Sequence, residues 1–134
     1  MSDPRPQESS GCARCWPASA EAAWAARKSL SREAELVDES HFHVMIQACP
    51  DCAQRFVSVF AETVDWVDGE DPQHWSVLPV TATEVADLVA LGDSLAEGHL
   101  VVLGPDRRCL HRDFPKHAEP RCYWGIGMRI GPHD

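Results

Sequence analysis

The stretch QACPDCAQRF, residues 47–56, contains two cysteines separated by two residues, and the same spacing occurs earlier in GCARCW, residues 11–16. Two residues between a pair of thiolates turn both sulfur atoms toward a common point, and we call such a turn a knuckle. Two knuckles supply four thiolates, which is the tetrahedral ligand set of structural zinc sites. The sequence therefore predicts a zinc centre with four ligands, Cys12, Cys15, Cys49 and Cys52.

The segment 16–48 between the two knuckles is longer than the roughly 15 to 20 residues of the commonest zinc spacing. It is predicted to contain a helix and a strand, which is enough chain to fold back and bring the knuckles together. Pro50 stiffens the second turn. In its two knuckles, and in the hairpin predicted to carry the second, the chain resembles zinc-ribbon and rubredoxin-like proteins. The resemblance implies a structural metal site and indicates no specific family.

Two other interpretations of the cysteines are less consistent with the sequence. CPDC superficially resembles the redox motif of thioredoxin-like proteins, but that motif precedes a helix, whose N-terminus lowers the thiol pKa. Here a strand-like segment follows. Four cysteines acting only as small core residues would not be expected to form two Cys-x-x-Cys units in one short chain. An iron site with the same four sulfur ligands is chemically possible, so the pattern leaves zinc and iron open.

Further cysteines and histidines occur together in CLHRDFPKHAEPRC, residues 109–122. They are possible ligands of a second metal, although their spacing fits no known zinc motif. The preferred interpretation is that the two cysteines are small buried side chains and the two histidines are exposed. The four residues are Cys109, His111, His117 and Cys122.

The chain of 134 residues, 44% of them hydrophobic, can bury one core. We expect a disordered tail over residues 1–11, which are rich in Pro, Ser and charge, followed by a single zinc-binding domain over 12–134. No apolar run is long enough to span a membrane, and the N-terminus lacks the pattern of a secretory signal. We therefore expect a cytoplasmic protein, in which thiols are kept reduced, so metal ligation or redox chemistry is a better interpretation of the six cysteines than a disulfide framework. The Ala, Arg and Trp bias favours a bacterial genome.

Hydrophobic periodicity predicts an α+β fold with a mainly antiparallel sheet. Strands are expected over 41–48 and 55–67, joined in a hairpin with the second knuckle at its tip. A helix is expected from Thr81, which forms a capping box with Glu84, to Gly92. A further helix is predicted over 17–28, and two further strands are predicted over 100–104 and 122–130.

The charge pattern bears on possible partners. The net charge is −9, and residues 57–106 contain no Lys or Arg. This acidic middle would repel a phosphate backbone, so nucleic-acid binding is not expected, despite a short basic strip over 107–121. The stretch DWVDGEDPQHW, 65–75, instead combines aromatic and acidic residues, as protein-binding surfaces do. The candidate contact residues are Trp66, Asp68, Glu70, Asp71 and Trp75.

No nucleophile elbow, phosphate loop or HExxH motif is present. The sequence therefore favours a structural four-cysteine site in a protein–protein interaction or regulatory module over an enzyme. The alternative is a thiol-redox or metal-dependent enzyme that uses the cysteines and histidines of 109–122. The sequence does not predict the oligomeric state.

Overall fold

The computed structural model describes residues 11–134, so the predicted tail over residues 1–11 lies outside the described residues except for Gly11. Short 3-10 turns follow the first and second helices. In chain order the helices and strands are α1 (Ala20–Ala26), β1 (Ser31–Glu39), β2 (Phe42–Ala48), β3 (Arg55–Glu62), β4 (Gln73–Val80), α2 (Ala82–Leu91), α3 (Glu97–Val101), β5 (Arg108–Phe114) and β6 (Arg121–Ile126).

The six strands form one antiparallel sheet in the order of the chain, β1 to β6. Every strand therefore pairs with its neighbour in sequence, which requires no crossover connection. The α+β class, the antiparallel sheet and the β2–β3 hairpin with the second knuckle at its tip are confirmed. None of the described helices is long and apolar enough to cross a membrane.

Each face of the sheet has its own hydrophobic cluster. One face, which we call the helix face, packs against Leu88 of α2, Leu100 of α3 and Met128 of the C-terminal segment 127–134. The opposite face, which we call the knuckle face, packs against α1 and the first knuckle through Cys15, Ala20 and other residues. Because side chains alternate along a strand, neighbouring residues of one strand contribute to different faces.

Helix α2 begins and ends as its sequence predicts. The Thr81 hydroxyl accepts a hydrogen bond from the backbone N–H of Glu84, and the Glu84 carboxylate accepts one from the N–H of Thr81. Gly92 follows the last residue with a positive φ of 53°. The Glu84 carboxylate also accepts two hydrogen bonds from Arg107, at 2.6 and 3.0 Å, which tie the helix to the start of β5.

The predicted strand over 100–104 is wrong, because this segment overlaps helix α3 and the turn after it. Leu100 and Leu103, three residues apart, both pack on the core, whereas Val101 and Val102 between them are exposed. That is the period of a helix and not of a strand. The β-branched valines favoured a strand locally, but burial of the two leucines decided the conformation.

Strands β1, β4 and β5 were not predicted from the sequence. β1 is an edge strand with many charged residues and two register irregularities, features that protect an edge from pairing with other chains. β4 contains Pro79, and proline is disfavoured inside strands because it lacks a backbone N–H donor. β5 has Arg and His at positions that pack inside the fold. The predicted strands over 55–67 and 122–130 end earlier, at Glu62 and Ile126.

Candidate metal centre

The two knuckles meet as the sequence predicts. The ligand atoms of the four cysteines all lie within 4.8 Å of one another. The distance between Sγ atoms is 3.7 Å for Cys12 and Cys15, 3.8 Å for Cys12 and Cys49, and 3.7 Å for Cys15 and Cys52. A tetrahedron of sulfur atoms at ~2.3 Å from a zinc ion has edges of ~3.8 Å. The spacing of the sulfur atoms therefore fits a single tetrahedral metal ion.

Backbone hydrogen bonds hold both knuckles in their tight turns. In the first knuckle, Trp16 N–H donates to the Cys12 carbonyl at 2.8 Å, and Cys12 N–H donates to the Cys15 sulfur at 3.2 Å. In the second, Ala53 N–H donates to the Cys49 carbonyl at 2.9 Å, and Asp51 N–H donates to the Cys49 sulfur at 3.4 Å. Amide donors to sulfur stabilise negative charge there, which favours thiolates as ligands.

Other contacts join one knuckle to the other without involving sulfur. Gly11 N–H donates to the side-chain oxygen of Gln54 at 3.1 Å, and Arg14 forms an ion pair with Asp51 at 2.8 Å. Gly11 has a positive φ of 71°, and a Cβ atom there would lie 2.8 Å from the Cys15 sulfur. A glycine is therefore required at this position for the first knuckle to close beside the second.

The ligands differ in exposure and in acidity. Cys15 and Cys49 are buried, Cys12 is half-buried and Cys52 is exposed. Backbone hydrogen bonds from Cys15 and then from Arg14 lower the pKa of the Cys12 thiol to about 7. Burial raises the pKa of the Cys15 thiol and of the Cys52 thiol. A raised pKa means that deprotonating these thiols costs free energy, and a bound cation offsets that cost by stabilising the thiolate form.

The first knuckle is also part of the core of the knuckle face. The ring centre of Trp16 lies 5.1 Å from that of Phe56 and 4.8 Å from that of Trp124, in the latter case edge to face. Trp124 in turn donates its indole N–H to the carbonyl of Ala18 at 2.7 Å. Closing the four-cysteine centre therefore places a tryptophan on the sheet, so a metal ion bound by these cysteines would also stabilise the packing of this face.

The other cysteines and histidines of 109–122 do not form one site. Cys109 and His111 are buried on the helix face. Cys122 packs on the knuckle face, and His117 is exposed in the loop between β5 and β6. The expected burial of Cys109 is confirmed, but the expected exposure of His111 is wrong. Alternation along β5 and β6 separates these side chains, which sequence spacing alone did not reveal.

His111 belongs instead to a buried polar network on the helix face that the sequence did not predict. In the antiparallel register, His74 lies opposite Asp113, and Ser76 lies opposite His111. The Nε2 atom of His74 is 3.2 Å from Nδ1 of His111 and 3.1 Å from the Ser76 hydroxyl, and Nδ1 of His74 contacts Asp113. The only sequence signal was the pair of alternating triplets, His-Trp-Ser at 74–76 and His-Arg-Asp at 111–113.

One arrangement of protons satisfies this whole network with both imidazoles neutral. His74 donates from Nδ1 to Asp113, His111 donates from Nδ1 to Nε2 of His74, and the Ser76 hydroxyl donates to the carbonyl of Arg129. Burial lowers the pKa of His111 to about 4 and also lowers the pKa of His74. Because Ser76 is fully buried, the order Asp–His–Ser does not present an accessible serine nucleophile.

The predicted contact residues lie in two places. Trp66 is 88% exposed in the loop between β3 and β4, and Asp68 and Glu70 are exposed in the same loop. Lys116 lies 3.2 Å from Asp68, and His117 lies 3.2 Å from Glu70.

The other two predicted contact residues are less exposed. Asp71 is half-buried and accepts a hydrogen bond from the backbone of Asp65 at 2.8 Å. Trp75 is half-buried on the knuckle face, where its ring centre lies 4.7 Å from that of Phe60.

Compared with protein-family models, with curated proteins and with solved structures, the chain matches none.

Proposed function

We propose that this chain is a zinc-binding protein whose metal is structural and which acts as a protein–protein interaction or regulatory module. The observation that carries the metal assignment is the convergence of four cysteine sulfur atoms at 3.7 to 3.8 Å spacings. Four thiolates are a closed ligand set, whereas catalytic zinc keeps a position for water or substrate. Zinc in this set would hold residues 11–16 on the sheet.

The choice of zinc over iron rests on ligand chemistry. Four cysteines hold either metal. The amide donors at the sulfur atoms are compatible with both. Zinc has no redox chemistry of its own and suits a centre whose contribution is to stability, and the packing of Trp16 beside the centre supports such a contribution.

The metal is tested by elemental analysis of protein purified without added metal. We expect about one zinc per chain and less than a tenth as much iron. Alkylation with iodoacetamide gives an independent measurement, because metal-bound thiolates are protected until a chelator removes the metal. Folded protein that contains no metal, or four cysteines that are alkylated at once, would contradict the assignment.

The partner surface that we propose is the loop between β3 and β4. Trp66 and Val67 are 88% and 87% exposed, and adjacent exposed apolar side chains rimmed by polar residues are typical of protein interaction sites. Lys116 forms an ion pair with Asp65 of this loop at 2.9 Å, and His117 contacts Glu70 at 3.2 Å, so both residues fix the loop. Aromatic residues at the centre of a polar rim are typical of binding hot spots.

This proposal is tested by affinity purification with the Trp66→Ala variant. We expect a loss of tenfold or more in partner recovery, since a hot-spot aromatic contributes ~2 kcal/mol or more. Val102→Ala is the matched control, because Val102 is also exposed, at 68%, but on another surface. Equal recovery with wild type and Trp66→Ala would contradict the proposed surface. Zinc content stays at one per chain if the partner surface and the metal site are independent.

A further inference from the structure

A group of cations on the knuckle face has no carboxylate partner among the described residues. Most described Lys and Arg side chains have a carboxylate within 4 Å, and these are Arg14, Arg32, Arg55, Arg107, Lys116, Arg121 and Arg129. Those without such an ion pair are Arg27, Lys28, Arg108 and Arg112. In a chain with a net charge of −9, cations without acidic partners are unexpected.

These cations lie in one region. Arg108 and Arg112 project from β5 onto the knuckle face, as Leu110 between them does. Arg27 and Lys28 follow α1, which packs against β5 and β6. The basic strip of 107–121 is therefore divided by the fold, because Arg107, Lys116 and Arg121 are paired with acids while two arginines remain on this face.

Two of the arginines lie against the same indole ring. The guanidinium carbon of Arg27 is 4.3 Å from the ring centre of Trp24 and 4.4 Å from that of Trp75. The guanidinium carbon of Arg112 is 5.6 Å from the Trp24 ring centre and 4.6 Å from that of Phe114. Stacking on aromatic rings uses the flat faces of a guanidinium group and leaves its N–H edge to hydrogen bond.

In both arginines, some N–H groups of the guanidinium edge donate no hydrogen bond. The Nε atoms of Arg27 and Arg112 are buried and have no acceptor. Arg112 uses one terminal nitrogen to donate to the Cys122 sulfur at 3.0 Å. Buried donors are nearly always paired in folded proteins, and an unpaired one costs about 1 to 3 kcal/mol. Burial also lowers the pKa of Arg27, which means that the charged form is destabilised there.

We propose that Arg27 and Arg112, beside Trp24, form a binding site for an oxyanion, either a phosphate or a carboxylate group. Both groups present coplanar acceptor oxygens that match the donor fork of a guanidinium group. An anion beside these two side chains accepts from guanidinium N–H groups that have no acceptor among the described residues, and it compensates two charges that no described acidic residue compensates. A small anion suits the site better than a polyanion, because the long acidic segment 57–106 disfavours an extended phosphate backbone.

The test uses the full chain loaded with metal, and sodium phosphate and sodium acetate as probes at equal ionic strength, with sodium chloride as reference. Buried arginine Nε–H groups give separate NMR signals, so the signals of Arg27 and Arg112 report binding directly. We expect these two signals to shift with phosphate or acetate and the melting temperature to rise by a few degrees at saturation. A response to phosphate alone identifies a phosphate site, and a response to both anions identifies a general oxyanion site.

Variants separate this site from general charge effects. Arg112→Lys keeps the charge but loses the fork, so we expect phosphate affinity to fall about tenfold or more. Arg32→Gln is the control, because Arg32 is exposed and already paired with Glu35, and it should retain wild-type affinity. The proposal is overturned if neither anion moves the Arg27 and Arg112 signals beyond the chloride reference. It is also overturned if Arg112→Lys and Arg32→Gln bind phosphate equally.

Discussion

The two ends of the described chain are held on opposite faces of the sheet by different chemistry. Residues 11–16 lie on the knuckle face, where four cysteine sulfur atoms from two short motifs come together and Trp16 packs against Phe56. The C-terminal segment 127–134 is held on the helix face by apolar contacts and by a polar network built from two strands. Ser76 donates to the carbonyl of Arg129, and Gly131 packs against the side chain of His74.

Further contacts fix the C-terminal end. The carboxylate of Asp134 accepts from the backbone of Val64 at 2.7 Å, and the ring of His133 stacks on Phe42 with centres 4.4 Å apart. Under the proposed function, one end depends on a metal and on deprotonated thiols. The other end packs beside two buried imidazoles whose pKa values are lowered by burial, which favours their neutral forms. The predictions below separate these two dependences.

The largest expected effect is that of Cys49→Ser. Structural zinc contributes ~10 to 16 kcal/mol of apparent binding free energy, and small domains are stable by only ~5 to 15 kcal/mol. We therefore expect this variant to lose its metal and at least several kcal/mol of unfolding free energy. The control is Cys109→Ser, in which a fully buried thiol on the helix face becomes a hydroxyl. It should cost about 1 to 3 kcal/mol and keep the metal.

Urea denaturation with metal analysis of the folded fraction measures both variants. Equal losses of stability in Cys49→Ser and Cys109→Ser would break the comparison, because the metal centre would then contribute no more than one core side chain.

The second effect is a pH dependence of stability that originates in the buried network beneath the C-terminal segment. His111 has a lowered pKa of about 4 in the folded protein, whereas an unfolded histidine titrates near ~6.5. The unfolded chain therefore binds more protons between these values. The stabilisation is complete above pH ~6.5 and is lost as the pH falls toward 4, at about 1 kcal/mol per pH unit.

The measurement is the unfolding free energy from pH 7 to 5 for wild type, for His111→Gln and for a control, His117→Gln. His111→Gln should give a smaller slope than His117→Gln, because only His111 belongs to the buried network, whereas His117 is an exposed loop residue. Release of metal at low pH affects all three proteins, so the difference between the two variants isolates the imidazole contribution. Identical slopes in the two variants would show that the network does not titrate as proposed.

The third effect is the close approach of the C-terminal segment to the sheet. A Cβ atom added at Gly131 would lie 2.8 Å from Cβ of His74, so Gly131→Ala must displace one of the two. We expect a loss of about 1 to 3 kcal/mol, as for other overpacked sites. Gly98→Ala is the matched control, since nothing lies within 4 Å of its added Cβ in α3. Thermal unfolding that gives equal stability for both variants would contradict the close contact.

The smallest effect is expected at a site distant from both ends. Thr81→Ala removes the side-chain acceptor that caps α2 and should cost about 1 kcal/mol. Thr83→Ala, two residues after the N-cap and inside the helix, is the control and should be neutral within ~0.5 kcal/mol. Neither variant should change the metal content or the pH slope. A change in either property would link α2 to one of the two ends.

Much of the local structure was predictable from the sequence. The alternation over 41–48 predicted β2, the capping box predicted α2, and the second knuckle was correctly placed at a hairpin tip. These signals involve residues close in sequence, whose geometry depends mainly on local backbone preferences. The segment 100–104 shows the limit of such signals, because burial of Leu100 and Leu103 outweighed the strand preference of two valines.

The sequence by itself determined the four sulfur ligands, since two residues between cysteines fix each knuckle regardless of the rest of the chain. Only the tertiary structure decided that His74 meets His111, or that Arg27 and Arg112 share the ring of Trp24. His74 and His111 are far apart in sequence, as are Arg27 and Arg112. The first pair meets through the register of β4 and β5, and the second through the packing of α1 against β5. A register shift of one residue would move every side chain of a strand to the other face, so no local pattern encodes these two sites.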